Sequence, residues 1–184
     1  MNVPRTLLSA TLLLCIFSAN AFAQEEKAGE SAMDSPVTAS LKGLHHMTGA
    51  NIMSTAEMLD EEMYAYQPTE GVRTAGQILA HIATAQYFIC STAAGEDNPN
   101  GENFEETATT KADIVAALEV SFAYCDGVYD AMTDAQGAEA RNIFGNDMAA
   151  SGVLAFNSTH NYEHYGNLVT YMRMNGVVPP SSQQ

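Results

Sequence analysis

The stretch Asn157-Ser-Thr-His-Asn-Tyr-Glu-His-Tyr-Gly166 lies within a long helical pattern and contains two histidines four residues apart. Residues at this spacing project from one face of an α-helix, so His160 and His164 can reach the same point in space. The pattern predicts a helix from about Ala149 to Asn175, which ends at Gly176.

Three further helices are predicted upstream, each with apolar residues at spacings of three and four. They run from Pro36 to just before Pro68, from Thr74 to about Thr92, and from about Thr110 to Met132. Thr74 and Gln77 form a capping-box pattern at the start of the second helix. No segment has a convincing strand pattern, so the sequence predicts an all-α protein, a four-helix bundle.

The linker over residues 93–108 is longer than the few residues that join antiparallel helices in a bundle. It permits a crossover that leaves the second and third helices parallel. Cys90 and Cys125 lie 16 and 15 residues after Thr74 and Thr110, so they are level only if those helices run parallel. A disulfide between them is one hypothesis, and two buried thiols are the alternative.

The first 23 residues have the features of a signal peptide. Arg5 provides a positive start, Leu7 to Ala19 forms an apolar stretch, and Ala21-Phe-Ala23 provides small residues at a cleavage site. An uncleaved anchor is the alternative, but this stretch is shorter than the roughly 20 residues that span a bilayer. We therefore expect a periplasmic or secreted protein that has no membrane association after cleavage.

We expect one compact domain in the mature chain. Residues 24–35 form a flexible lead-in, residues 36–178 the bundle, and residues 179–184 a C-terminal tail. The formal net charge of the full chain is −15, and cleavage removes one basic residue and no acidic one. Because such a surface repels phosphate backbones, nucleic acid is not an expected partner. A small-molecule substrate of unknown identity is expected, and a homodimer is left open.

Three histidines are the predicted metal ligands. His81 lies on the more polar side of the second helix, where it can join His160 and His164. Neutral imidazoles suit zinc or nickel first, with iron or cobalt as alternatives, and three of them leave a coordination position open.

Further side chains are candidates for contacts around these ligands. Asn157, Gln77 and Tyr171 could form hydrogen bonds to a ligand or substrate, since each lies near the same helix faces. His45 could supply a fourth ligand, although core or surface packing is favoured for it. Arg73 is expected to hold the preceding loop by ion pairing.

From about Leu41 to Ser182 the chain resembles the DinB/YfiT-like family of metal-dependent helical bundles. The resemblance is carried by Tyr64-Ala-Tyr-Gln-Pro68, by Arg73-Thr-Ala-Gly-Gln-Ile-Leu-Ala-His81, and by Asn161-Tyr-Glu-His-Tyr-Gly-Asn-Leu-Val-Thr-Tyr-Met-Arg173. It implies an up-down-down-up bundle and the same three histidine ligands. It leaves the reaction open, because relatives include thiol-dependent transferases. An exported metal-dependent hydrolase or transferase is expected, with a non-catalytic metal-binding or ligand-binding protein as the alternative.

Overall fold

A computed structural model of the chain describes Met1 and residues 35–183. Apart from Met1, the predicted signal peptide lies outside the described residues, as does most of the lead-in. The described elements are α1 (Pro36–Met58), α2 (Glu61–Ala65), α3 (Ala75–Ala94), α4 (Phe104–Thr107), α5 (Lys111–Ala131), α6 (Asp134–Gly137), β1 (Ala140–Ile143), β2 (Asn146–Ala149), α7 (Ala150–Met174) and a 3-10 turn (Pro180–Ser182). None of the described helices has the length and apolar character required to cross a bilayer.

The four long helices, α1, α3, α5 and α7, form an up-down-down-up bundle. α3 and α5 are parallel, because Gly76 lies beside Ile114 near their starts and a disulfide joins Cys90 to Cys125 near their ends, with 5.5 Å between the Cα atoms. At the start of α5, Lys111 donates to the last carbonyls of α1, so these two helices are antiparallel. α7 packs antiparallel against α3. The predicted bundle and its crossover are confirmed, and of the two alternatives for Cys90 and Cys125 the structure has the disulfide.

The core consists of two apolar clusters with buried polar side chains between them. The cluster near the start of α3 includes Ile52, Leu79, Leu118 and Leu168, and the cluster near its end includes Ile89, Val153 and Leu154. The polar side chains between the clusters include His45, Gln86, Ser121 and Asn157. The bundle therefore has apolar cores at both ends and polar groups near its middle.

The first helix is shorter than predicted. α1 ends at Met58, and the side chain of Asp60 accepts a hydrogen bond from the backbone N–H of Met63 and starts α2. An aspartate at this position satisfies a donor that the first turn of a helix leaves free, which favours a new start. The apolar spacing did not reveal the break because Met63 remains buried after the chain turns.

Two stretches between the long helices, outside the four predicted helices, contain regular structure. Residues 93–108 include the single-turn α4, and residues 133–147 include α6 and most of an antiparallel β-hairpin. The paired residues of β1 and β2 run from Ala140↔Ala149 to Ile143↔Asn146. The strands of this hairpin have four residues each, and their side chains are mostly exposed or half-exposed. They therefore lack the alternation of apolar and polar residues that predicts a strand.

Candidate metal centre

The three histidines predicted as ligands converge between α3 and α7. The Nε2 atom of His160 lies 3.3 Å from Nε2 of His81 and 3.1 Å from Nε2 of His164. One possible ligand atom from each ring lies within 4.8 Å of the other two. Because α3 and α7 are antiparallel neighbours, one residue of α3 faces two residues a helical turn apart on α7.

The carboxylate of Glu105 fixes the orientation of the His81 ring. The Nδ1 atom of His81 lies 2.6 Å from Oε1 of Glu105, a distance typical of a charge-assisted hydrogen bond. When Nδ1–H donates to this carboxylate, the lone pair of the ring lies on Nε2, which faces the other two histidines. This carboxylate–histidine pair is common around metal ions, where it sets the tautomer and increases the basicity of the ligand.

Glu105 is held in place by further contacts. Arg73 donates from Nε to Oε2 of Glu105 at 2.8 Å, and the backbone N–H of Phe104 donates to the Thr84 hydroxyl at 2.9 Å. The hydroxyl of Tyr171 donates to the carbonyl of Arg73. The predicted ion pair of Arg73 is therefore present, and it joins the loop before α3 to the crossover.

The protonation states around the three histidines favour cation binding. Burial, together with the nearby rings of His164 and His81, lowers the pKa of His160 to about 4. Burial likewise lowers the pKa of His164. Burial alone would raise the pKa of Glu105, but hydrogen bonds from Arg73 and His81 hold it below its ordinary value. At pH 7 His160 and His164 are neutral and the carboxylate is charged.

A polar cavity of about 750 Å³ lies beside His164. Side chains from α3, α7, the preceding loop and the crossover surround it, and they include Gln77, Glu163, Asn167 and Tyr171. The Oε1 atom of Gln77 is occupied, because it accepts a hydrogen bond from the N–H of Thr74 in the capping box. Gln77 and Tyr171, both predicted to lie near the ligands, thus line the approach to His164.

His45 and Asn157 lie in a separate buried group. The Nε2–H of His45 donates to Asp126 at 3.0 Å, and its Nδ1 accepts from the amide of Asn157 at 3.4 Å. The ring is fully buried and stacks on Tyr129 with 4.3 Å between centroids. His45 therefore has a core-packing role, the interpretation favoured over that of a fourth ligand. The contacts of Asn157 are with this group rather than with the three converging histidines.

Glu105 was not predicted from the sequence, although the sequence contains a signal for it. The second stripe of α3, which includes His81, Thr84 and Phe88, is only partly apolar and needs a covering segment. Asn103, which accepts from the N–H of Glu105, is a typical helix start inside the crossover. A short helix covering that stripe could have been inferred from these two features.

Comparisons with known proteins agree with this architecture. The family model described as DinB superfamily matches residues 44–168. The uncharacterized protein YjoA of Bacillus subtilis (strain 168) is 22% identical over 135 residues, which cover 72% of this chain and 87% of that protein.

Solved structures share the same fold. The crystal structure of YjoA has a TM-score of 0.60 at 19% identity, covering 74% of this chain and 92% of that chain. A DinB-like protein from Bacillus cereus ATCC 10987 has a TM-score of 0.62 at 22% identity, covering 72% and 89%. The mycothiol-dependent maleylpyruvate isomerase has a TM-score of 0.59 at 17% identity, covering 71% and 60%. The family model covers most of the chain, and the bundle and the three histidines agree with it. This chain therefore belongs to the DinB superfamily.

Proposed function

We propose that this protein is an exported metalloenzyme, a hydrolase or transferase that acts on a small molecule. His81, His160 and His164 would hold a divalent ion, zinc or nickel first. The observation that carries the proposal is the convergence of three imidazole Nε2 atoms, one of them oriented by Glu105. Imidazole donors suit such ions, and the ring of His45, the one candidate for a fourth ligand, is engaged elsewhere.

The residues around the histidines have distinct roles in this proposal. A divalent ion, when bound, would supply Lewis acidity towards an oxygen or sulfur atom of the substrate. Glu105 accepts a hydrogen bond from Nδ1–H of His81 and so directs Nε2 towards the other two histidines, and Arg73 keeps Glu105 charged and in place. Polar side chains of the cavity beside His164, including Asn167 and Glu163, would bind and orient the substrate.

Two features support export. Residues 1–23 have the composition of a cleaved signal peptide. The disulfide between Cys90 and Cys125 is the kind of bond that persists in oxidising compartments and is rare in the cytosol. A cytosolic thiol is therefore a poor candidate for the cosubstrate, and the proposal names no cosubstrate.

Metal analysis of the mature protein tests this function. We expect one divalent ion per chain and none in His160→Ala/His164→Ala, while His46→Ala, which removes an exposed histidine, keeps the ion. A screen of hydrolase and transferase substrates with and without chelator then tests catalysis. Full metal content in the double variant would refute the site, whereas metal binding without turnover would favour the non-catalytic alternative.

A further inference from the structure

Three phenylalanine rings form a row that begins beside His160, opposite to the polar cavity. The ring centroid of Phe156 lies 6.0 Å from that of His160 and 6.0 Å from that of Phe144. Phe144 in turn lies 5.2 Å from Phe88 of α3. We call Phe88, Phe144 and Phe156 the aromatic ledge. It is continuous with the histidines because Phe156 comes one helical turn before His160 on α7.

The hairpin presents Phe144 in an unusual backbone conformation. Phe144 has φ of 52° and Gly145 has φ of 79°, so both loop residues of this two-residue turn have positive φ. Turns with this geometry strongly prefer Asn-Gly, because a bulky residue at positive φ is disfavoured. Phe144 is the only described non-glycine residue with positive φ. Asparagine would suit this turn better than phenylalanine does.

Burial does not account for the choice of phenylalanine at this position. The side chain of Phe144 is 69% exposed, and Phe88 beside it is 37% exposed. An aromatic ring that remains in water contributes little to folding, because apolar stabilisation scales with the area removed from water. A strained and exposed aromatic residue beside a candidate site indicates a role in binding.

The histidines therefore lie between two surfaces of different chemistry. The cavity beside His164 is lined mainly by polar side chains, whereas the surface beside His160 presents aromatic rings. Small-molecule sites generally combine an apolar wall with a few directed polar groups. This arrangement fits a ligand that has both a polar and an apolar part.

We propose that the aromatic ledge is a specificity subsite for an aromatic or bulky apolar group of the substrate. The polar group of that substrate would lie at the three histidines and in the adjoining cavity. This inference rests on the proposed function, and it adds the substrate class: an amphipathic small molecule rather than a wholly polar one. The hairpin, through Phe144, is then part of the binding site and not only a connection between α6 and α7.

Two hydroxamates, which chelate metal ions through the same group, test whether the aromatic ledge binds an aromatic group. Acetohydroxamate carries a methyl group and benzohydroxamate a phenyl ring, and both are titrated calorimetrically into the zinc-loaded protein. We expect benzohydroxamate to bind about tenfold more tightly, because a ring stacked against aromatic side chains gains contact area. In Phe144→Asn we expect this preference to fall to about twofold, with zinc content and acetohydroxamate affinity unchanged.

Control variants separate the ring from the turn. Phe144→Tyr keeps the ring and should keep the tenfold preference, and Val120→Asn removes an exposed apolar side chain of α5 and should change nothing. Phe144→Asn relieves the strain of the turn, so its unfolding temperature should equal or exceed that of the wild type. The subsite proposal would be overturned if the wild type bound both hydroxamates equally well, or if Phe144→Asn kept the tenfold preference for benzohydroxamate. Neither result would contradict the metal site. Failure to load zinc, seen before any titration, would overturn the proposed function and the ledge together.

Discussion

At the scale of single residues, histidines in this bundle differ because their neighbours differ. His45 satisfies both ring nitrogens with Asp126 and Asn157, so no lone pair is left for another ligand. His81 gives only Nδ1 to Glu105, and its Nε2 faces the Nε2 of His160. The partner of each ring, more than its burial, decides between a structural and a ligand role.

Glu105→Gln should weaken zinc binding by about tenfold to a hundredfold, the usual effect of removing a carboxylate that orients a ligand. The amide can still accept a hydrogen bond from His81, but it lacks the charge that increases the basicity of the ring and binds Arg73. Competition with a chromophoric chelator measures the affinity. Glu102→Gln removes the same charge from an exposed part of the crossover and should have no effect. Equal affinities in both variants would contradict the role of Glu105.

His45→Ala should destabilise the protein by about 2–4 kcal/mol without changing its metal content. The substitution leaves a cavity beside Tyr129 and removes the acceptor of a buried amide of Asn157. Urea unfolding measures the stability, and elemental analysis measures the metal. Loss of the ion in a variant that remains folded would show that His45 is a ligand after all.

At the scale of elements, the site depends on segments outside the four long helices. α4 brings Glu105 to His81, and the hairpin brings Phe144 to Phe88 and Phe156. Both short elements lie over the outer stripe of α3, which the bundle leaves uncovered. The disulfide then joins α3 to α5 near the ends of the helices, at the level of the second apolar cluster.

Cys90→Ala/Cys125→Ala should lower the free energy of unfolding by about 3–4 kcal/mol. The bond closes a loop with a sequence separation of 35 residues, and it restricts the unfolded chain accordingly. Urea unfolding under oxidising conditions measures the difference. Alkylation of the denatured, non-reduced mature protein is the control, and we expect no modified cysteine. Two alkylated cysteines would show that the bond does not form.

At the scale of the whole molecule, we expect the bundle to fold without a bound metal ion. The two apolar clusters pack the bundle at both ends, and none of the three converging histidines belongs to them. This arrangement differs from that of small metal-dependent domains, in which ion binding supplies the folding energy.

Chelation should therefore leave the helical circular dichroism unchanged and lower the unfolding temperature moderately. A ligand that binds only the folded state stabilises it by about 2.7 kcal/mol at a hundred times its dissociation constant. The metal-free protein loses that increment and should still unfold cooperatively. His160→Ala/His164→Ala serves as the control and should not respond to chelator. Complete unfolding on chelation would assign the ion a structural role.

The metal-free protein should lose stability as the pH falls from about 6.5 towards 4. Burial lowers the pKa of His160 to about 4 and also lowers the pKa of His164 and His45. In this window the unfolded chain binds protons that the folded chain does not. The free energy of unfolding therefore decreases as the pH falls. We expect a loss of about 1–2 kcal/mol between pH 7 and pH 5, measured by urea unfolding. His160→Ala/His164→Ala should lose less stability over the same pH range. An equal loss in the variant and the wild type would show that these two histidines do not cause it.

The long helices and the histidine pattern were predictable because they depend on spacing within one segment. Apolar stripes, the helix starts at Thr74 and Thr110, and the matching positions of Cys90 and Cys125 all follow from helical geometry. Glu105 was not predicted because its role depends on where a polar crossover packs. The hairpin was missed because its short strands lack alternation and its turn lacks the usual asparagine.

The parallel arrangement of α3 and α5 has an evolutionary consequence. The connection between them must run back along the length of the bundle. It passes beside His81, where it places the carboxylate of Glu105. Phe104 and Ala108 pack against the core, but most other side chains of that connection are exposed, so changes among them should have little effect on folding. Proteins that share this bundle can therefore differ in the surroundings of His81 through changes in one surface loop, while the three histidines stay the same.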